Sequence, residues 1–266
     1  MSSNQPFFKK RLMNVRLGRF HFGPGWVATI TTLLLLALLV NLGLWQKRRG
    51  DEKSAMITRY EERSRSQALS IDDLIALDKD SMDFPVSLRG VYNHEQSFLL
   101  DNRTHNGIPG FQLITPMDAG NYYFLVNRGW VPQGRTRQDT PKYPKPEGEI
   151  TITGITHVPN PDYFVLQEDS YQDVTWPYII QKIDLEKARQ HFKKPLAPFT
   201  VRLNPQEGSG FIREWRSNPM TPEKHYGYSF QWFSLALALL IIYITVNTRR
   251  IEPEQHKTTN EPPSKH

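Results

Sequence analysis

The stretch His225-Tyr226-Gly227-Tyr228-Ser229-Phe230-Gln231-Trp232-Phe233 opens an apolar run that reaches Val246 without a charged residue. About twenty apolar residues, rising about 1.5 Å each, cross a hydrocarbon core of about 30 Å. The run is therefore a membrane helix or a deeply buried one. On a helix, positions seven apart lie nearly on one face, so His225 and Trp232 stand two turns apart along one line. A basic nitrogen beside a flat aromatic ring, both at a membrane surface, can hold something planar. The competing reading is an aromatic belt that anchors the helix at headgroup level, with His225 a solvated flank. Taken alone, the stretch favours the belt.

Working outward, Trp26–Trp45 is a second uncharged run, bracketed by tryptophans. It is too long for the apolar core of a signal peptide, and Asn41-Leu42-Gly43-Leu44-Trp45 is a poor cleavage site, so it reads as an uncleaved anchor. Lys9, Lys10, Arg11, Arg16 and Arg19 precede it, and Arg249 and Arg250 follow the later run. Lys47, Arg48 and Arg49 lie on the other side. The balance of basic residues places both tails inside and the intervening domain outside. The expected layout is a basic cytoplasmic tail over 1–25, spans over 26–45 and 228–246, an outer domain over 46–227 and a disordered tail over 247–266.

The chain has 266 residues, a net charge of +6 and no cysteine. Disulfides, thiolate metal sites and cysteine nucleophiles are excluded. Much of the positive charge flanks the apolar runs. That pattern speaks for membrane lipid and topology and against nucleic acid, which calls for basic residues clustered on the folded domain.

Between the spans, Asp51–Leu77 carries helical spacing and no proline, with Ser70 and Asp73 forming a capping signature for a short helix from Ile71. Strands are expected at Val86–Tyr92, Ser97–Asp101, Gly110–Thr115, Tyr122–Val126, Glu149–Val158, Tyr178–Ile183 and Phe199–Leu203. Asp118-Ala119-Gly120-Asn121 reads as a hairpin loop and Asp184 as the cap of a helix through Phe192. The fold class is α+β: two transmembrane helices flanking an antiparallel β-rich domain, with a barrel as one way of closing it.

Catalytic machinery is thin. No phosphate loop, nucleophile elbow or paired metal-ligand spacing is present, and the protein reads as a non-enzyme. His94 and His105, near Asp101, are candidate metal or proton-transfer groups, weighed against solvent-facing turns. His157 and His191 look unpaired. Arg103, Arg128 and Arg135 suit a carboxylate or phosphate, against the plainer reading of structural ion pairs. With both tails inside, the first span ends at Trp45-Gln46 and Arg49, at the depth where the second enters at His225 to Trp232. Imidazole for iron, Trp232 and Trp45 faces for a ring, and Arg49 for propionates make a chemically sensible haem site. The sequence permits it without requiring it.

Five segments in order carry a resemblance. They are Leu44-Trp45-Gln46 with Arg49; Gly107 to Pro116; Leu125-Val126-Asn127-Arg128-Gly129-Trp130-Val131-Pro132; Gly148 to Gly154; and His225-Tyr226-Gly227-Tyr228 with Gln231-Trp232-Phe233. Between two terminal spans they resemble the Surfeit-one (Shy) family of cytochrome c oxidase assembly factors. The resemblance implies a bacterial inner-membrane protein with a periplasmic domain, or its counterpart in the mitochondrial inner membrane. It implies haem a as a transient cofactor, with His225 as axial iron ligand and Trp232 beside the ring; Trp45, Gln46 and Arg49 join the expected site by their shared depth. It implies the large catalytic subunit of cytochrome c oxidase as partner, and haem a synthase as a candidate donor. One histidine leaves the second axial position open to water, another side chain or a second copy of the chain. A scaffold that stabilises oxidase intermediates without carrying haem is the alternative. Glu223-Lys224 departs from the amide residues of many relatives. For Asn127 to Trp130 a structural role is favoured over docking, with Gly129 expected at a special backbone angle.

Overall fold

The computed structural model describes residues 13–134, 139, 141–160, 162–165, 168–172, 174–205, 211–215 and 220–251. Arg135 lies outside them. The chain divides into a helical unit, from the N-terminal segment through Ser54 together with the C-terminal segment, and a β-rich unit over Ala55–Asn218.

The helical unit holds two helices long and apolar enough to cross a membrane, the continuous α1 (Trp26–Ser64), which runs on past this unit, and α4 (Pro222–Asn247). Both run beyond the expected spans, so the expected boundaries at 46 and 227 fall inside helices. The cause is local. Polar residues after Trp45 still favour helix, and Lys47–Asp51 (2.8 Å) and Arg49–Glu52 (2.9 Å) pair along its surface. At the other helix, Pro222 suits the first turn, where a missing N–H costs nothing. Thr29 Oγ1 and Tyr243 Oη, 2.7 Å apart, join the two helices near one end. Strands β1 (Val15–Leu17) and β2 (Phe20–Phe22) form a hairpin there, and β10 (Thr248–Arg250) pairs with β2. Within the tail expected over 247–266, Thr248–Arg250 pairs along the open edge of β2, and residues 252–266 lie outside the described part.

In the β-rich unit the sequence order is α2 (Ile71–Ala76), β3 (Pro85–Tyr92), β4 (Phe98–His105), β5 (Ile108–Ala119), β6 (Tyr122–Pro132), β7 (Glu149–His157), β8 (Tyr178–Ile180), α3 (Leu185–Arg189) and β9 (Leu196–Leu203). The sheet runs β3-β7-β9-β6-β5-β4-β8, and β3 also pairs with β5. The ring β3-β7-β9-β6-β5 is thus a closed five-stranded barrel, with β4 and β8 appended beyond β5. Closure removes the exposed edges that an open sheet would present. Pairing is antiparallel except for β6 with β9 and β4 with β8, so the wholly antiparallel expectation is corrected to a mixed sheet.

β3 alternates strictly between buried and exposed positions, sending Val86, Leu88 and Tyr92 inward to meet Met117, Phe124, Phe199 and Val201. Leu74 of α2 packs into this cluster. β6 is buried along Phe124–Val131 because its other face meets a second cluster, including Phe98, Tyr171 and Ile180. Ser70 caps α2 by accepting from Asp73 N at 3.1 Å, as its spacing predicts. The expected helix Asp51–Leu77 is interrupted after Ser64, where Ser66 Oγ turns back to Arg63 O (2.7 Å). Asp184 caps α3 through Lys187 N, though the helix ends at Arg189 rather than Phe192. β8 stops at Ile180 rather than Ile183, because the Asp169 carboxylate takes the Gln181 N–H (2.8 Å).

Candidate functional site

Helices α1 and α4 run antiparallel in the helical unit, and their contact is set by glycine. A Cβ on Gly43 would come within 2.9 Å of the Phe233 ring, and one on Gly50 within 2.6 Å of Tyr226. Ser229 Oγ donates to Gly43 O at 2.8 Å, and Tyr226 Oη to Asp51 Oδ1 at 3.0 Å. Small residues let backbones approach, and a hydroxyl crosses the gap. Sequence reasoning passed over these four positions. The signal was present, since Gly43 and Gly50 are seven apart and so are Tyr226 and Phe233.

The close approach buries His225, which is 7% exposed. Its Nδ1 lies 2.7 Å from Gln46 Oε1. An amide oxygen only accepts, so the imidazole donates and its proton sits on Nδ1. In the neutral ring Nε2 then carries the lone pair. It has no protein partner among the described residues and is not one of the sealed, unpartnered atoms. Metal-ligating histidines are commonly held this way, one ring nitrogen donating to the protein and the other open.

The other candidates stand apart from this pair. Arg49 is exposed and engaged with Glu52. Trp45 is exposed and Trp232 half-buried, and no aromatic stacking partner is found for either among the described residues. The structure therefore joins His225 and Gln46, and does not close the two tryptophans on the histidine.

In the β-rich unit, His94, His105 and Asp101 do not assemble, and no group of three His, Asp or Glu suited to a metal occurs among the described residues. His94 Nε2 meets Pro146 O (2.8 Å), and His105 faces Glu214 at 3.6 Å and the Trp130 ring. His191 packs edge-on against Trp176. His157, expected to be unpaired, accepts from Arg202 Nη2 at 2.9 Å. Nothing in the linear sequence signals that contact, since only the β7–β9 pairing brings the two together. Arg128 is buried between the rings of Tyr92 (4.9 Å) and Phe211 (4.8 Å) and donates to Pro144 O (2.7 Å). Burial lowers its pKa from the usual guanidinium value. It forms the bulge where β6 slips against β5, and Gly129 beside it has φ +126°. A Cβ on Gly129 would meet Phe211 at 2.8 Å, and an isolated bridge between Trp130 and Ile212 fastens residues 211–213 to the barrel there.

A family model described as the SURF1 family matches residues 33–237. The chain belongs to the SURF1 family. Similar proteins include a SURF1-like protein of Rickettsia felis, 23% identical over 223 residues that cover 81% of this chain and 94% of that protein. A SURF1-like protein of Monosiga brevicollis is 24% identical over 217 residues, covering 76% and 81%. Surfeit locus protein 1 of Arabidopsis thaliana is 26% identical over 267 residues, covering 76% and 73%. The SURF1 match runs from inside α1, through the barrel, to inside α4, and so contains Trp45, Gln46, Arg49, His225 and Trp232.

The glycine notches make a testable joint. Gly43→Leu leaves no room for Phe233 and should spread the pair by about 1–3 kcal/mol, a typical overpacking cost. The native chain lacks cysteine, so Thr29→Cys/Tyr243→Cys crosslinking reads the packing directly. Yield should fall several-fold in Gly43→Leu and little in Gly43→Ala, since the partly exposed Phe233 can yield to a single methyl.

Proposed function

We propose that the protein is a non-enzymatic assembly factor for cytochrome c oxidase that holds haem a as cargo at the His225 end of its helix pair and passes it to the large catalytic subunit. The observation that carries this reading is the Gln46–His225 hydrogen bond, which fixes the ring through Nδ1 and leaves Nε2 as the open nitrogen. Unliganded histidines gain little from having one nitrogen fixed and the other left free, whereas an iron ligand needs both. Arg49 suits a propionate. Its present pairing with Glu52 is no obstacle, because exposed ion pairs of this kind are worth about 0–1 kcal/mol and exchange readily. Trp232 and Trp45 would supply ring contact on loading. Family membership supports the oxidase-assembly role, and the flanking charges support tails inside and the β-rich domain in the periplasm of a bacterial inner membrane.

The test is the absorption spectrum of full-length protein purified from a host that makes haem a. Wild type should carry a haem a Soret band, and His225→Ala should lose it. Gln46→Leu should keep the ligand but weaken binding by about 10–100-fold, the usual cost of removing a ligand's supporting hydrogen bond. Full occupancy with an unchanged spectrum in His225→Ala would overturn the assignment.

A scaffold reading has one observation in its favour: the tryptophans are not closed on His225. Capture of the oxidase subunit from a strain unable to make haem a separates the two. A scaffold captures it undiminished, and a haem carrier captures it poorly.

A further inference from the structure

The β-rich unit contains a cavity of about 670 Å³ whose wall includes Arg103, His157, Lys182, Arg202 and Trp215. Arg202, on β9, is its most constrained cation. Its Nη2 donates to His157 Nε2, so His157 is neutral with its proton on Nδ1. That Nδ1 and Arg202 Nε are buried without partners. The guanidinium lies 5.7 Å from the Trp215 ring centre, and the indole N–H is spent on Leu203 O. Among the described residues no carboxylate reaches Arg202 or Arg103 at ion-pair distance. Asp83 serves Arg59 (3.2 Å), Glu214 faces His105, and Glu168 serves Lys182 (3.0 Å).

This arrangement is costly as it stands. A cation taken out of water without a counter-ion is disfavoured, and so is each buried donor left unmet. Burial lowers the Arg202 pKa to about 10; the Asp83 charge opposes that shift and Arg103 adds to it. Arg202 Nη1, by contrast, is not sealed and has no hydrogen-bond partner among the described residues. Arg103 lies over the Tyr163 ring (5.7 Å) on the same wall, and its guanidinium makes no hydrogen bond to the described residues. Two guanidinium groups share this hollow with Glu214, whose carboxylate faces His105 and reaches neither of them at ion-pair distance, and aromatic surface lies beside them.

We infer that this cavity binds the oxyanion group of a small molecule, a carboxylate or a phosphate, between Arg202 and Arg103. Guanidinium groups match both anions with paired N–H donors, and Trp215 and Tyr163 supply a flat wall for the rest of the ligand. The inference is independent of the haem reading, since its residues lie on β4, β7, β9 and the following segment.

The experiment titrates detergent-solubilised full-length protein with inorganic phosphate and, separately, with succinate, at ionic strength held constant with chloride. Tryptophan fluorescence and melting temperature are followed. Saturable binding of one anion with a rise in Tm is expected, and which anion saturates distinguishes phosphate from carboxylate. Arg202→Gln should weaken it by at least about tenfold, as loss of a charge-assisted hydrogen bond from Nη1 does. If Arg202→Gln fails to fold, Arg103→Gln, at a half-exposed position, decides with the same expected loss. Saturation by neither anion, or wild-type affinity in the folded arginine variants, overturns the proposal.

Discussion

Gly90→Ala is expected to open the barrel and to cost about 3 kcal/mol or more, the range of strong overpacking. Gly90 pairs with Ile150 on β7 just before β3 meets β5. A Cβ there would lie 2.1 Å from Asp118 O, 2.9 Å from Asp118 C and 3.0 Å from Ala119 Cα. All three are backbone atoms of β5. They cannot retreat without breaking the hairpin with β6, where Asp118 and Ala119 face Tyr123 and Tyr122. The remaining escape is to release β3 from β5, where two residue pairs, Val91–Asp118 and Tyr92–Met117, form the seam. Thermal unfolding followed by circular dichroism checks this, with Gly120→Ala as comparison. Gly120 has φ +66° and open space around its Cβ position, so alanine there should cost only about 1–2 kcal/mol of left-handed backbone strain. Equal melting temperatures for the two variants would refute the steric account.

The second large effect is acid destabilisation through His157. Burial first, and the Arg202 charge second, lower its pKa from 6.5 to about 3. The unfolded chain therefore takes up this proton near pH 6.5, and the folded one only near pH 3. The stabilising contribution is complete above pH 6.5 and is lost as pH falls through that window, at up to about 1.4 kcal/mol per pH unit. His157→Gln keeps an acceptor for Arg202 while removing the titration. Denaturant unfolding between pH 7 and 4 should show a shallower loss of stability in the variant. Parallel slopes would mean that His157 is protonated in the fold.

Individual strands were legible because β3 and β7 alternate and because turns such as Asp118–Asn121 carry glycine at a left-handed position. The ends of β5 and β6 were not. Expected to stop at Thr115 and Val126, they run to Ala119 and Pro132, since strands buried on both faces lose the period-two pattern. Barrel closure was illegible for another reason. It rests on β3–β5 and on the parallel β6–β9 pairing, and no local feature specifies which distant strands meet. At the site, His225 and Gln46 were readable from their shared depth beside the spans. The Arg49–Glu52 pair was implicit in its three-residue spacing. Trp232 was placed near the histidine by helix periodicity and Trp45 by shared depth, and neither fixes whether a ring reaches its neighbour.

The two glycine notches, Gly43 against Phe233 and Gly50 against Tyr226, act as a keyed joint with one setting. They lie about 10.5 Å apart along α1, so a slip of α4 by a single turn of about 5.4 Å would unseat both rings at once. The same slip would carry His225 away from Gln46, and the imidazole would then be free to move its proton to the other nitrogen. Helix registry and imidazole tautomer are thus a single coordinate. On the proposed haem-carrying reading, a shear of the pair by a few ångströms would loosen the iron ligand with no change in pH and no competing ligand.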